Sequence, residues 1–168
     1  MKRAFIVVGP ESSGTRMLTK ILMAGGCIGD DSHFQPFDKV EKIDGDPIVW
    51  RRSVPHNGRD LILADMLRKL PYHEVTVVVI LRDWHCTELS QVSNKHVSEM
   101  ETATKNIKDA VKTIFLQIAA LGLDYAVFTY ESFLLYPTLT QKFLFQRLGL
   151  NEDNCVNIRN ENSKWMKA

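Results

Sequence analysis

Near the amino terminus stands the stretch Phe5-Ile6-Val7-Val8-Gly9-Pro10-Glu11-Ser12-Ser13-Gly14-Thr15-Arg16. It begins with a short apolar run rich in β-branched residues, which predicts a buried strand, and it continues into a Gly, Pro and Ser turn. Apolar residues then recur at helical spacing from Met17 to Ala24, so a helix is expected directly after the turn. Such a helix start directs backbone N–H groups and the positive end of the helix dipole at one point. The stretch therefore predicts an anion site, with phosphate as the expected ligand.

The glycines of this turn have the spacing of a nucleotide-binding phosphate loop, since Gly9 and Gly14 match its first and last glycine. Such a loop in an ATPase or kinase continues with Lys and then Ser or Thr, whereas Thr15 and Arg16 stand here. A nucleotide or small-molecule kinase that uses ATP and magnesium is therefore an alternative that lacks its loop lysine. A plain strand-turn-helix corner without a ligand would use similar residues, and it is a second alternative.

The rest of the chain alternates predicted strands with predicted helices. Strands are expected at 48–54, 75–81 and 125–130, helices at 59–70, 84–94, 99–121 and 137–148, a turn at 131–133 and a long polar loop at 26–47. This alternation predicts a three-layer α/β fold, a mainly parallel sheet with helices on both faces. Ligands bind such sheets beyond the carboxyl ends of the strands. The length indicates a single domain over residues 1–168.

Composition limits the classes of partner. The 168 residues carry 21 basic and 20 acidic side chains, a net charge of +1, so no global positive field favours nucleic acid or a membrane surface. Any anion site must therefore be local. The three cysteines are widely spaced and have no zinc-like partners, which indicates reduced thiols and no metal site. No apolar run approaches the length of a membrane span, and the expected location is cytoplasmic.

A second group of chemical interest follows the strand predicted at 75–81. Arg82 ends that strand, and Ser90 lies eight positions later on the next predicted helix. An arginine fork matches the oxygens of a phosphate, and a serine two helical turns along can reach the same group. For a lone arginine the alternative is a salt bridge to Asp83 or to a helix carboxylate.

Three partial motifs in the same order resemble those of sulfotransferases that use 3′-phosphoadenosine 5′-phosphosulfate (PAPS). They are Ser13-Gly14-Thr15 after a strand, Arg82 with Ser90, and Thr129-Tyr130-Glu131-Ser132-Phe133 followed by Pro137 and Leu148-Gly149-Leu150. The resemblance implies a phosphate-loop-like fold, PAPS as co-substrate without a metal, and sulfuryl transfer to a hydroxyl or amine of a small-molecule or carbohydrate acceptor. It also implies that the 5′-phosphate lies against Ser12, Ser13, Gly14, Thr15 and Arg16, and the 3′-phosphate against Arg82 and Ser90.

The loop departs from the family pattern, which commonly has Lys or Arg just before Ser-Gly-Thr. Ser12 stands at that position, and Glu11 precedes it. Because charge develops during the transfer, another cation must substitute in an active enzyme. Arg16 in the loop, and Arg51 or Arg52 from the second strand, are the candidates; strand neighbours point to opposite faces, so only one of the latter two can face the site.

The general base is a second departure, since Ser53 stands where many family members have a histidine. His56 is the nearest group that titrates near neutral pH, and Glu11 is the second candidate base. The family's late Arg-Lys-Gly nucleotide motif is absent, so Arg159, Asn162, Lys164 and Trp165 are not assigned to the site. The missing loop cation also leaves a non-catalytic nucleotide-binding domain as an alternative.

Overall fold

The computed structural model describes residues 1–29, 45–55, 62–71 and 73–165. The strands are β1 (Lys2–Pro10), β2 (Ile48–Val54), β3 (His73–Leu81) and β4 (Asp124–Thr129). The helices are α1 (Thr15–Ala24), α2 (Leu63–Arg68), α3 (Trp84–Ser93), α4 (Met100–Leu121), α5 (Tyr130–Leu135) and α6 (Pro137–Leu148), followed by a 3-10 turn at Asn162–Lys164. No helix among these described residues is long and apolar enough to cross a membrane.

The strands form one parallel sheet in the order β2-β1-β3-β4. β1 pairs on both sides, so that Val7 lies opposite Arg51 of β2 and Val78 of β3. Its residues from Ala4 to Pro10 are all buried, because the strand has neighbours at both edges and helices on both faces. The predicted parallel sheet is confirmed.

Alternate residues of β1 pack into two separate cores, one on each face of the sheet. Ile6 and Val8 join a cluster that contains residues of α2 and α4, whereas Phe5 and Val7 join one with residues of α1, α5 and α6. Full burial of one such side chain contributes about 1.5–3 kcal/mol relative to exposure. The two cores between helix layers and sheet confirm the predicted three-layer α/β fold.

The arrangement of the helices creates a crevice beside β1. α1, which follows β1, packs on one face, while α4, which lies between β3 and β4, packs on the other. When the connections that follow two neighbouring strands run to opposite faces of the sheet, a crevice opens at the carboxyl ends of those strands. Ligands bind in this crevice in sheets of this type. β1 and β3 are such neighbours, and the loop 10–14 and Arg82 follow their ends.

Some predicted boundaries were wrong. Residues 131–133 are part of α5 rather than a turn, since Thr129 caps this short helix by accepting a hydrogen bond from the Ser132 N–H at 3.2 Å. Phe133 is thereby carried into the core. The helix predicted at 59–70 spans Leu63–Arg68 in the described part of the chain. Residues 59–61 and most of the predicted loop 26–47 lie outside the described residues.

Candidate functional site

A cleft of about 780 Å³ opens at the carboxyl ends of β1, β2 and β3. It gathers most of the sequence-predicted site residues, from the loop after β1 and from the end of β3 with its following helix. The residues that line it are Glu11, Ser12, Gly14, Thr15, Arg16, Met17, Lys20, Arg51, Ser53, Arg82, Ser90, Asn94, His96, Tyr130, Val156, Asn157, Ile158, Arg159, Glu161, Lys164 and Trp165. The cleft is therefore the candidate functional site.

The loop after β1 is tightly wound. Ser12 and Gly14 both have positive φ angles, of 70° and 104°, and the Ser13 N–H donates to the Pro10 carbonyl at 3.0 Å. Gly9 allows the loop to lie directly on β3, since a Cβ there would be 2.3 Å from the carbonyl oxygen of Ile80. Ser13 is buried, and its Oγ has no hydrogen-bond partner among the described residues. This winding brings the amino terminus of α1 to the cleft.

Thr15 connects the loop to the neighbouring strand. It begins α1, and its Oγ1 lies 3.0 Å from the Oγ of Ser53 at the end of β2. Both side chains line the cleft. The pair places two hydroxyl groups beside the amino terminus of the helix, where an anion is favoured.

Arg82 joins the end of β3 to the loop. Its Nη1 donates to the Ser12 carbonyl at 3.0 Å, its Nε donates to Asn162 Oδ1 at 2.6 Å, and its Cζ lies 4.8 Å from the centre of the Tyr130 ring. All three partners are neutral. Arg82 is therefore not held by a salt bridge to Asp83, which the sequence had left as an alternative. The remaining Nη2 is buried and has no partner among the described residues. An anion in the cleft would supply the missing acceptor.

Ser90 lies on α3 at the wall of the same cleft and is 8% exposed. Its Oγ accepts a hydrogen bond from Asn94 Nδ2 at 3.2 Å. Asp83, the residue after Arg82, instead caps α3 by accepting the Cys86 N–H at 2.9 Å. Arg82 and Ser90 thus reach one cleft from consecutive elements.

The segment 156–165 forms a wall of the cleft that was not assigned from the sequence. Asn162 is 1% exposed, and it accepts from Arg82 and donates to Glu131 Oε1 at 2.9 Å. The Tyr130 hydroxyl donates to the Arg159 carbonyl at 2.8 Å and accepts the Glu161 N–H at 3.0 Å. The absence of apolar periodicity in this polar segment left no signal for its position.

Positive charge dominates the lining. Among its described residues, six are Lys or Arg and two are Glu. Since the whole chain carries a net charge of only +1, this excess is local, as the composition requires of an anion site. A hydrogen bond from Lys164 lowers the pKa of Glu161, which keeps that carboxyl ionised beside the cations.

Glu11 is the second carboxyl group of the cleft. Burial raises its pKa above the ordinary value, and the nearby charges of His96 and Arg52 offset part of that rise.

Of the two β2 arginines, Arg51 is the one that lines the cleft. His96 was missed from the sequence, because it stands alone after a helix with no motif around it. His56, predicted as the base, lies outside the described residues.

Neither a protein-family model nor a curated protein matches the chain. Among solved structures, it is similar to mouse sulfotransferase SULT7A1 complexed with PAP, with a TM-score of 0.58 and 13% sequence identity. The match covers 98% of this chain and 62% of the mouse protein, so the chain spans about three fifths of that protein's length. The parallel sheet flanked by helices is thus the sulfotransferase fold of that structure.

Proposed function

We propose that this chain binds PAPS in the cleft and transfers its sulfuryl group to a hydroxyl or amine of an acceptor. The contact between Arg82 and the loop carries the proposal, because it joins the two predicted phosphate-binding groups in one cleft. The same function is supported by the local excess of positive charge and by the fold that the chain shares with a PAP-bound sulfotransferase.

The nucleotide would lie across the crevice between β1 and β3. Its 5′-phosphate would accept hydrogen bonds from the loop and the start of α1, contributed by Ser12, Ser13, Gly14, Thr15 and Arg16. Its 3′-phosphate would accept from the unpartnered Nη2 of Arg82 and from the Ser90 hydroxyl. Trp165 lines the cleft and offers an aromatic face to the purine.

The transfer itself needs the reacting groups in line and a cation near the departing phosphate. Arg16 and Arg51 both line the cleft and are the cations that we propose for this role in place of the family lysine. Arg52, the third candidate, lies near enough to Glu11 to lower its pKa. Because the sulfuryl group passes directly to the acceptor, no covalent enzyme intermediate is required.

Calorimetric titration tests the proposal. Purified protein is titrated with adenosine 3′,5′-bisphosphate, the expected product, and separately with ATP and magnesium, and PAPS turnover is then followed as release of the bisphosphate. We expect tighter binding of the bisphosphate than of ATP and a measurable turnover. Preference for ATP with magnesium would replace this function with a kinase activity. Bisphosphate binding without turnover would favour a non-catalytic nucleotide-binding domain.

A further inference from the structure

His96 occupies a fixed position just beyond α3. The helix ends in a Schellman motif, in which Lys95 has a φ of 58°, its N–H donates to the Val92 carbonyl at 3.0 Å, and the His96 N–H donates to the Gln91 carbonyl at 2.9 Å. Lys95 adopts this left-handed conformation although it is not a glycine. The motif directs the His96 side chain to the wall of the cleft.

Gln91 fixes His96 and Glu11 relative to each other. It is 1% exposed, its carbonyl holds the backbone of His96, and its Nε2 donates to the Glu11 carbonyl at 2.8 Å. On the other side, the Glu11 N–H donates to the Val54 carbonyl at 3.0 Å. The backbone of Glu11 is thus held from both β2 and α3.

The two side chains meet at the cleft. His96 Nδ1 lies 3.6 Å from Glu11 Oε1, and both residues line the cavity. A carboxylate beside Nδ1 favours the tautomer with the proton on Nδ1, which leaves Nε2 able to accept a proton. The Glu11 side chain is 16% exposed and that of His96 38%, so the carboxylate is the inner member and the imidazole is the one open to a substrate.

We infer that His96 is the general base of the transfer and that Glu11 is the residue that positions it. This inference rests on the proposed function. The acceptor oxygen attacks the sulfur of PAPS while its proton passes to His96 Nε2. The bond between sulfur and the oxygen bridging it to the 5′-phosphate breaks, and its electron pair leaves with adenosine 3′,5′-bisphosphate. Burial of Glu11, which raises its pKa, also makes its carboxylate a stronger acceptor for the imidazole N–H.

Two simple acceptors of different acidity test the base. Phenol is un-ionised at neutral pH and needs a base, whereas 4-nitrophenol is substantially ionised there and needs one much less. For His96→Gln we expect turnover with phenol to fall about 10²-fold or more, a much smaller loss with 4-nitrophenol, and unchanged affinity for adenosine 3′,5′-bisphosphate. Glu11→Gln should lower kcat with phenol by a smaller factor and leave the KM for PAPS unchanged.

His85→Gln is the matched control. His85 lies on α3, the helix that precedes His96, pairs with Glu88 at 3.9 Å and is not among the residues that line the cleft, so its substitution should not change turnover with either phenol. Equal turnover of His96→Gln and wild type, or an equal loss with both phenols, would overturn the role of His96. If turnover with phenol falls in His56→Gln but not in His96→Gln, the general base is His56 instead. A wild-type protein that fails to bind the bisphosphate, or to turn over PAPS with either phenol, would instead contradict the proposed function.

Discussion

At the scale of single residues, Asn162 links three parts of the fold beside the cleft. Its side-chain Oδ1 accepts from Arg82 Nε, and its Nδ2 donates to Glu131 Oε1, which also accepts the Asp83 N–H at 3.1 Å. One buried amide therefore connects the segment 156–165 to the end of β3 and the start of α5. The orientation of the Arg82 guanidinium depends on it.

Truncation of Asn162 should therefore weaken both stability and nucleotide binding. Asn162→Ala leaves Arg82 Nε and Glu131 without this partner, and we expect a loss of about 1.5–3 kcal/mol in the free energy of unfolding. We also expect weaker binding of adenosine 3′,5′-bisphosphate in calorimetry. Asn154→Ala, at an exposed position that does not line the cleft, is the control. Indistinguishable behaviour of the two variants would contradict the role assigned to Asn162.

The burial of Glu11 predicts that the stability of the protein depends on pH, with a sign that follows from the raised pKa of this carboxyl. Because burial raises its pKa in the folded state above the ordinary 4.5, the folded protein holds this proton more tightly than the unfolded chain. The stabilisation that comes from this tighter proton binding is complete below pH 4.5, and it is lost as the pH rises through the raised pKa.

The thermal midpoint of the wild type should therefore fall relative to that of Glu11→Gln as the pH rises from below 4.5 toward neutrality. Differential scanning calorimetry at several pH values measures this difference. Glu152→Gln, at an exposed position, should follow the wild type throughout. A wild-type midpoint that stays constant or rises relative to that of Glu11→Gln over this pH range would show that the folded-state pKa is not raised.

At the scale of elements, the turn between β1 and α1 depends on close contact with β3. A Cβ at Gly9 would lie 2.3 Å from the Ile80 carbonyl oxygen and 2.4 Å from Ser13 Oγ. The Ile80 carbonyl is part of the backbone of β3, so an added Cβ would force the turn and β3 apart. The geometry of the loop thus depends on the absence of a side chain at Gly9.

Gly9→Ala should accordingly destabilise the protein by about 3 kcal/mol, at the upper end of the usual overpacking cost, and should weaken binding of the bisphosphate. Gly26→Ala is the matched control, since that glycine has a φ of 106° but nothing within 4 Å of an added Cβ. Its cost should be limited to about 1–2 kcal/mol of backbone strain, without an effect on affinity. Denaturant titration of both variants measures the difference, and equal costs would contradict the close contact.

The elements that the sequence predicts best are those whose pattern is local. The continuous apolar run of β3 and the strand-turn-helix pattern around Gly9 and Gly14 depend on neighbouring residues, and both elements are present as predicted. α5 was mistaken for a turn because only six residues form it, too few for a helical period to appear. The contacts of Asn162 and His96 join residues distant in sequence, and no spacing rule could predict them.

At the scale of the whole molecule, the parallel sheet concentrates charge that the composition conceals. Basic side chains from α1, β2, the end of β3 and the segment 156–165 line one cleft, although the chain carries a net charge of only +1. Parallel strands all end at the same edge, so their following loops share one site. The topology therefore gathers a local excess of basic side chains that the net charge of the chain does not reveal.

We propose above all that this cleft recognises a nucleotide with phosphates at both its 5′ and 3′ positions. The most direct measurement compares the affinities of adenosine 3′,5′-bisphosphate and 5′-AMP for wild type, Ser90→Ala and Ser93→Ala. Ser93 is exposed on the same helix and does not line the cleft. We expect the wild type to prefer the bisphosphate, and Ser90→Ala to lose about tenfold in affinity for the bisphosphate alone, the equivalent of one hydrogen bond to a charged group. Ser93→Ala should match the wild type. Equal affinities of the wild type for the two nucleotides, or an equal loss for both in Ser90→Ala, would contradict the claim.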